Sequence, residues 1–417
     1  MRKQFSIGGL LLLMLSNALW LHAAAPPGSM AQLAELTPST RVTADWFGIS
    51  VAMSGNTVVV GDFDLNIEAY GAAYVYVKPA GGWKNMTQVA RLTSSDNGEG
   101  FGTSVAIYGN TIVVGAANTS NFAAPQSSPG AAYVFVEPSG GWTDMTETAK
   151  LTASDGKPGD AFGDSVSISG NTIAVGAFFA TDNSGNSFAG RAYVFERPSG
   201  GWSGDLTQTA ELTATDSQLL NYMGASVAIA GNVVIAGAYG HNNFQGAGYI
   251  FVEPSGGWKN ITQTGELTSS DGKASDFFSF SAAISGDTVV LGAPSAANGY
   301  GAAYVFVKPS SGWASATQTG ELRAGNSLQG AGFGQSVGIS GNLIAAGAPG
   351  FDSGLGAAYF FVKPHGGWKN MVSGNQLTAS DGASNHSFGA STAVSAATIV
   401  AGAPAGSAPG SAYVFGP

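Results

Sequence analysis

The chain has 417 residues, of which 62 are glycine and none is cysteine, and its formal net charge at pH 7 is −10. Only 10% of its residues are charged and they form no basic stripe, so we expect no nucleic-acid partner. A chain without cysteine forms no disulfide bonds, so packing alone must stabilise the folded state.

Residues 1–24 form a predicted signal peptide. Arg2 and Lys3 precede an apolar run from Ile7 to Leu21, and three alanines follow at positions 23–25. This order is typical of export signals and predicts cleavage at residue 23, 24 or 25. We expect a secreted, periplasmic or cell-surface protein with no membrane span after cleavage; an uncleaved membrane anchor is the alternative.

The rest of the chain, residues 25–417, contains one unit that recurs seven times. The copies begin near residues 47, 101, 162, 223, 278, 333 and 388. Most copies begin with Phe-Gly, pass through Ser-Gly-Asn or a close variant, and continue into an apolar run that ends in Gly-Ala or Gly-Ala-Pro. The apolar segments are short, rich in Val, Ile, Tyr and Thr, and bounded by turn residues, which predicts strands joined by tight hairpins.

Each complete unit predicts four strands, which we term A to D in chain order. Strand B is apolar at successive positions, as in Val58, Val59 and Val60, and such a strand is buried on both faces. Strand D alternates polar and apolar residues, as from Gln88 to Leu92, which indicates a half-exposed strand. Hydrophobicity therefore falls from the inside of the unit to its outside, as a radial blade requires.

The two ends of the repeat array complement each other. The seventh unit stops after strand C, whereas residues 30–39 match a strand D and precede the first unit. We therefore predict an all-β fold: a seven-bladed β-propeller with four antiparallel strands per blade, closed by the N-terminal strand pairing with the last blade. Residues 25–417 form this single domain.

The Phe-Gly and Gly-Ala-Pro elements resemble those of the FG-GAP repeat family. The resemblance is closest to the bacterial variant with Ser-Gly-Asn between the two elements, and more distant to the N-terminal propeller of integrin α chains. It implies a seven-bladed propeller that acts in adhesion or ligand binding. In integrin-like members, long acidic A–B turns bind Ca²⁺, but here these turns are tight, as in Ser54-Gly55-Asn56, so that role is not carried over.

The B–C loops vary among the units and are the predicted ligand-binding elements. They share one rim with the D–A loops, and variation on one rim of a constant scaffold is typical of a binding surface. Their rings could stack on sugars or anchor a protein, or instead pack onto their own blades. The candidate ligand-binding residues are Phe63, Phe122, Phe178, Phe188, Tyr239, His241, Phe244, Tyr300 and Phe351. The repeated tryptophan of the C–D turn is interpreted as structural.

The first B–C loop also contains a candidate cation site. Asp62, Asp64, Asn66 and Glu68 place four oxygen ligands at alternate positions, which resembles half of a calcium loop. Alternatively, these residues only share one face of a strand. Acids in the D–A loops, such as Asp160 and those of the Asp-Gly pairs, are interpreted as turn formers, with a shared cation site as the alternative. No cofactor other than Ca²⁺ is predicted.

The sequence shows no catalytic constellation. Beyond the predicted signal peptide, the histidines are His241, His365 and His386, which fall in different turns. We predict an exported, monomeric, non-catalytic binding or adhesion module whose loop rim binds an extracellular protein or glycan. The alternative is a carbohydrate-active propeller enzyme, a glycosidase or lyase, with its site at the central channel.

Overall fold

The computed structural model describes residues 29–40, 45–64, 71–96, 98–117, 128–182, 184–405 and 409–417. The predicted signal peptide lies outside these residues. Among the residues described, no helix has the length and apolar character needed to cross a membrane.

Short strands make up almost all of the regular structure. The first half of the chain contains β1 Ala31–Thr37, β2 Asp45–Ser54, β3 Thr57–Asp64, β4 Ala72–Val77, β5 Met86–Thr87, β6 Ala90–Thr93, β7 Phe101–Tyr108, β8 Thr111–Ala116, β9 Ala131–Val136, β10 Met145–Thr146, β11 Ala149–Thr152, β12 Phe162–Ser169, β13 Thr172–Ala177, β14 Arg191–Glu196, β15 Gly204–Thr207 and β16 Ala210–Thr213.

The second half adds three four-residue turns, each with two left-handed residues in its middle. Its elements are β17 Ser226–Ala230, β18 Val233–Ala238, α1 His241–Phe244, β19 Ala247–Val252, β20 Ile261–Thr262, β21 Gly265–Thr268, β22 Ser281–Ser285, β23 Thr288–Ala293, α2 Ala296–Gly299, β24 Ala302–Val307, β25 Ala316–Thr317, β26 Gly320–Ala324, β27 Ser336–Ser340, β28 Leu343–Ala348, α3 Phe351–Gly354, β29 Ala357–Val362, β30 Met371–Ser373, β31 Gln376–Leu377, β32 Ser391–Ser395, β33 Thr398–Ala403 and β34 Ser411–Gly416.

These strands form seven sheets, which are the blades of a β-propeller. The innermost strands, numbered A in each blade, are β2, β7, β12, β17, β22, β27 and β32. Each of them contacts the innermost strand of the next blade, and β32 contacts β2, so the circle is closed. The predicted seven-bladed propeller is confirmed.

The N-terminal strand closes the ring as predicted. β1 pairs antiparallel with β34, with Ala31 opposite Gly416 and Leu36 opposite Ala412. β1 is therefore strand D of blade 7, and this pairing ties the first described residues to the last. Leu36 and Ala34 are buried in the closing blade.

The blades contain one strand type that the sequence analysis did not predict. Among the described residues, six of the seven sheets have a fifth strand, and only the blade 6 sheet has four. The extra strand is a short segment after the C–D turn of one blade that pairs in parallel with strand D of the preceding blade, as β5 does with β1 and β10 with β6. Each C–D segment thus covers the outer edge of its neighbour.

The repeated motif joins neighbouring blades through backbone contacts. The strand A serine of each blade donates a hydrogen bond to a carbonyl of the next blade's Phe-Gly element, as Ser50 does to Gly102 at 2.9 Å and Ser391 does to Gly48 at 2.7 Å. The Phe of this element packs edge-on against the strand C aromatics, with Phe333 and Tyr359 ring centroids 5.6 Å apart. The turn tryptophans are buried, which supports their structural interpretation: Trp83, Trp142, Trp202, Trp258, Trp313 and Trp368.

Candidate functional site

The B–C and D–A loops lie side by side on one rim of the ring. The glycine that ends a B–C loop bridges in parallel to the first residue of the next unit, as Gly190 does to Met223 and Gly301 to Phe333. Each B–C loop therefore contacts the D–A loop that leads into the following blade. A site on this rim is built from two loops per blade junction.

Eight aromatic rings form a continuous patch on this rim, which we call the aromatic cluster. The B–C loops of blades 3 and 4 and the D–A segments that enter blades 4 and 5 contribute them. Its members are Phe178, Phe179, Phe188, Tyr222, Tyr239, Phe244, Phe277 and Phe280. Tyr222 lies near the middle and stacks on Tyr239, with ring centroids 5.1 Å apart and planes inclined by 21°.

The backbone beneath the cluster is strained. Four of the eight residues, Phe188, Tyr222, Phe244 and Phe277, have φ between 54° and 63°. An aromatic residue in this left-handed region costs about 1–2 kcal/mol. The strained residues hold one another in pairs, because Tyr222 donates its backbone N–H to the Phe188 carbonyl at 3.0 Å and Phe277 donates to Phe244 at 2.9 Å.

The cluster is only partly covered by protein. Phe178 is buried, whereas Phe188 and Phe280 keep 40% and 38% of their surface exposed. The other five rings are half-buried. The interpretation that loop aromatics pack onto their own blades is therefore incomplete here, since these rings pack on one another across three blades and still face solvent.

A cleft of about 470 Å³ opens at the blade 3 end of the cluster. Its lining combines rings, charges and hydroxyl groups from Phe179, Phe188, Tyr222, Lys157, Asp160 and Thr181. An adjoining cleft of about 400 Å³ shares Lys157, Asp160 and Thr181 and adds further charged side chains, including Arg191. The first volume lies in the range of small-ligand pockets.

Asp160 is positioned by its own loop. Its carboxylate accepts a hydrogen bond from the backbone N–H of Lys157 at 2.7 Å, and Asp276 accepts the equivalent bond from Lys273 at 2.8 Å. These contacts fit the interpretation of both acids as turn formers. Burial raises the pKa of the Asp160 and Asp276 carboxyl groups.

A second carboxylate lies where strand A of blade 3 begins. Asp164 is half-buried, and burial raises its pKa to about 7. It occupies the position that Phe280 holds in blade 5, and its charge reaches Tyr239 of the cluster. The cluster therefore borders one group that titrates near neutrality.

The side chains on the wall of the central channel are mostly apolar. A space of about 220 Å³ there is lined by strand A residues of all seven blades, such as Val51, Ile107, Val227 and Ile339. No acidic residue or histidine lines this space among the residues described. The enzyme alternative, which requires acids at the channel, finds no support on this wall.

The structure separates the predicted ligand-binding residues into groups. Phe178, Phe188, Tyr239 and Phe244 belong to the aromatic cluster. Phe63 is half-buried in β3 opposite Trp46, and Phe351 packs on Tyr359 of its own blade with ring centroids 6.5 Å apart. Tyr300 is 44% exposed, and Phe122 lies outside the described residues.

His241, a predicted ligand-binding residue, lies beside two carboxylates. Its Nε2 atom lies 3.9 Å from Asp216 Oδ2 and 3.9 Å from Glu266 Oε1. The three ligand atoms all lie within 4.8 Å of one another. Neither acid was a candidate in the sequence analysis, because they come from a D–A loop and from strand D.

The predicted calcium site stays a prediction. Asp62 is buried, with 5% of its surface exposed, and it pairs with Phe47 across β2 and β3. The Asp64 side chain, Asn66 and Glu68 lie outside the described part of the chain.

Comparison with known proteins identifies the repeat. A family model for the FG-GAP repeat matches seven segments, residues 30–76, 86–135, 145–195, 206–251, 261–306, 316–361 and 372–415. The first match runs from strand D of blade 7 to strand C of blade 1, so one repeat spans two blades. No curated protein matches the chain.

Proposed function

This chain belongs to the FG-GAP repeat family, and we propose that it is an exported, non-catalytic binding module that holds a glycan on the loop rim of blades 3 to 5. The observation that carries the proposal is the aromatic cluster, eight rings that meet across three blades and remain partly open to solvent. Aromatic faces offer flat apolar surface to the C–H face of a sugar ring.

The cleft beside the cluster supports a glycan over a flat protein partner. Phe179, Phe188 and Tyr222 supply rings, while Lys157 and Asp160 supply charged hydrogen-bonding groups within the same 470 Å³. Sugars present apolar faces and hydroxyl edges together, so this mixture matches them. A protein partner remains the other outcome of the test.

The strained backbone also supports a binding role. Left-handed aromatic residues lower stability, and such strain concentrates at ligand sites where it orients a side chain. Phe188 is the clearest case, because it is strained at φ 56° and 40% exposed. A strained and exposed ring contributes little to the stability of the folded state, which favours a role in binding.

The test uses a glycan array followed by calorimetry on the best ligand. Phe188→Gly keeps the left-handed backbone and removes only the ring, so we expect an unchanged or higher Tm and at least tenfold weaker binding, equivalent to about 1.4 kcal/mol. The control is Tyr300→Ala, which removes an exposed ring of the same rim that is not part of the aromatic cluster. Equal affinity for wild type and Phe188→Gly would contradict the assignment of the site.

Export is tested separately. Secretion of the chain and mass spectrometry of its N-terminus report whether residues 1–24 are removed. A protein that keeps these residues and stays in the cell would contradict the exported location while leaving the binding site untouched.

A further inference from the structure

We propose that Asp216, His241 and Glu266 form a binding site for one divalent transition-metal ion, with Zn²⁺ as the best match, at the junction of blades 3 and 4. The three residues come from separate segments: the D–A loop that follows β16, the B–C loop of blade 4, and β21. A bound ion would tie these segments together. This inference is independent of the proposed glycan site.

The geometry brings three donor atoms of suitable kind to one point. The imidazole Nε2 lies 3.9 Å from one oxygen of each carboxylate. Ligands of a tetrahedral Zn²⁺ are about 3.3–3.6 Å apart, given metal–ligand distances near 2.0–2.2 Å. Each of the two nitrogen–oxygen distances therefore needs to shorten by less than about 1 Å, and the two carboxylate oxygens lie within 4.8 Å of each other. A water molecule would complete the coordination.

The three side chains are open enough for an ion to enter. Exposed fractions are 17% for His241, 35% for Asp216 and 31% for Glu266. Asp216 and Glu266 place two carboxylates 3.9 Å from the same imidazole nitrogen, so their like charges repel each other. A cation placed between them relieves that repulsion.

Tyr249 orients two of the three ligands. Its hydroxyl donates to Asp216 Oδ1 at 2.8 Å and lies 3.3 Å from His241 Nδ1. The atoms left for a metal are then Asp216 Oδ2 and His241 Nε2, which are the two that face each other. A hydrogen-bonded residue behind each ligand is the usual support of a protein metal site.

Comparison with the other blades shows that this group is not a requirement of the fold. In blade 3, Arg191 binds both Asp155 and Glu211, at 2.5 and 2.6 Å. In blade 5, Arg323 lies 2.5 Å from Glu321 and 3.9 Å from Asp271.

Blade 6 has uncharged residues at the two positions where blades 3 to 5 have acids. There Asn326 donates to Gln376 at 2.9 Å, so no acid pair is present. Blade 4 has Ala247 and Thr268 where blades 3 and 5 have their arginines, and it alone places an imidazole before its two acids. Blade 4 therefore has no arginine at either of these positions beside its two acids, and a metal ion would compensate their charge.

The loop conformation does not depend on His241 either. The B–C loops of blades 4, 5 and 6 share one path, with consecutive left-handed residues at 242 and 243, 297 and 298, and 352 and 353. Their first positions are His241, Ala296 and Phe351. Since alanine and phenylalanine support the same loop, the histidine is free to serve another purpose.

The donor set selects the class of metal. One imidazole with two carboxylates suits Zn²⁺ and neighbouring first-row ions, whereas Ca²⁺ takes six to eight oxygen ligands. We therefore expect Zn²⁺ and Co²⁺ to bind and Ca²⁺ to bind far more weakly.

The experiment titrates untagged protein with ZnCl₂ by calorimetry and with CoCl₂ by visible absorption. We expect one Zn²⁺ per chain, a rise in Tm with Zn²⁺, and Co²⁺ bands typical of four or five ligands. His241→Ala and the near-isosteric Glu266→Gln should each weaken Zn²⁺ binding at least tenfold. His386→Ala, a histidine on the same rim, is the matched control and should bind as wild type does.

Circular dichroism and melting of each variant without metal show whether it folds. Wild-type protein that binds neither Zn²⁺ nor Co²⁺ would overturn the proposal. So would equal Zn²⁺ affinity in wild type and in a folded Glu266→Gln variant.

Discussion

The tyrosine of strand C connects each of blades 2 to 7 to the D–A loop that precedes it. Tyr133 donates its hydroxyl to Asp96 at 2.8 Å, and Tyr413 donates to Asp381 at 2.8 Å across the closing junction. In blades 3 and 5, where a strand D glutamate lies near such an aspartate, an arginine contacts both acids. The residues that contact these acids differ between blades, whereas the tyrosine is the same in each.

Arg191 provides the compensation in blade 3, and its removal should be costly. It is 5% exposed and also donates to the Thr181 carbonyl at 2.8 Å. Arg191→Met would leave Asp155 and Glu211 without their cation, so we expect a loss of about 3 kcal/mol in the free energy of unfolding. Urea denaturation measures it.

The matched control is Arg323→Met in blade 5. Because the Arg323 side chain is 43% exposed, solvent screens its acids and the expected loss is below about 1 kcal/mol. Equal losses in the two variants would show that burial of the arginine does not set the cost.

Asp164 predicts a pH dependence of stability. Its pKa is raised to about 7 by burial, so the folded state holds a proton that the unfolded chain releases near pH 4. The contribution of the Asp164 carboxyl to the free energy of unfolding is therefore fully present below about pH 4 and is lost as the pH rises to about 7.

Asp164→Asn removes the cost of burying an ionised carboxylate at high pH without changing the shape of the side chain. At pH 8 we expect the variant to be more stable than wild type by about 1–2 kcal/mol, a value reduced for partial exposure. The advantage should shrink at pH 4.5, as followed by calorimetric melting at both pH values. A constant difference across pH would contradict the raised pKa.

At the scale of strands, the repeated glycines are explained by the spacing between blades. The strand B glycine of each blade lies against the backbone of the next blade, and a Cβ at Gly176 would overlap the Gly224 carbonyl oxygen. Ser165 donates to that same carbonyl at 2.7 Å. The motif therefore sets how closely two blades approach.

Gly176→Ala should separate blades 3 and 4. The overlap involves backbone that cannot rotate away, so we expect a loss of at least about 2 kcal/mol, measured by chemical denaturation. Gly140→Ala is the control, since a Cβ there meets no atom within 4 Å. Unchanged stability of Gly176→Ala would mean that the blades have room to shift.

Strands A to D could be predicted because each occurs seven times in the sequence with its own pattern of apolar residues. The fifth strand could not, because β5 and β10 are two-residue Met-Thr segments whose partners belong to another unit. Two residues carry no periodicity, and pairing between units depends on how the blades are arranged.

The candidate site was predictable only in part for a related reason. Phe188, Tyr239 and Phe244 were found because B–C loops vary visibly between units. Tyr222 and Phe277 lie next to the Phe-Gly position, where the sequence predicts that an aromatic residue is buried in the core. Their left-handed backbone turns these rings toward the rim, and no local sequence pattern reports such a conformation.

For the whole molecule, the ring is held by the pairing of its ends. Besides the β1–β34 ladder, Ser411 donates to Glu35 at 2.9 Å, and Gln32 and Ser380 exchange hydrogen bonds at 3.1 and 2.9 Å. In a repeat array each unit is stabilised by its neighbours, and in an opened ring the two end blades each lack one neighbour. Closure should therefore govern cooperativity as well as stability.

A chain that begins at residue 41 tests this dependence. It lacks β1, so the backbone edge of β34 and the apolar surface that Leu36 covers become exposed. We expect a lower Tm, a broader unfolding transition in calorimetry and concentration-dependent self-association in light scattering, because an unpaired strand edge recruits other strands. A chain that begins at residue 29 is the control and should melt as one sharp, monomeric transition. Adding a synthetic peptide of residues 29–40 should restore the Tm, whereas an unchanged Tm in the shortened chain would show that the ring is stable without its closing strand.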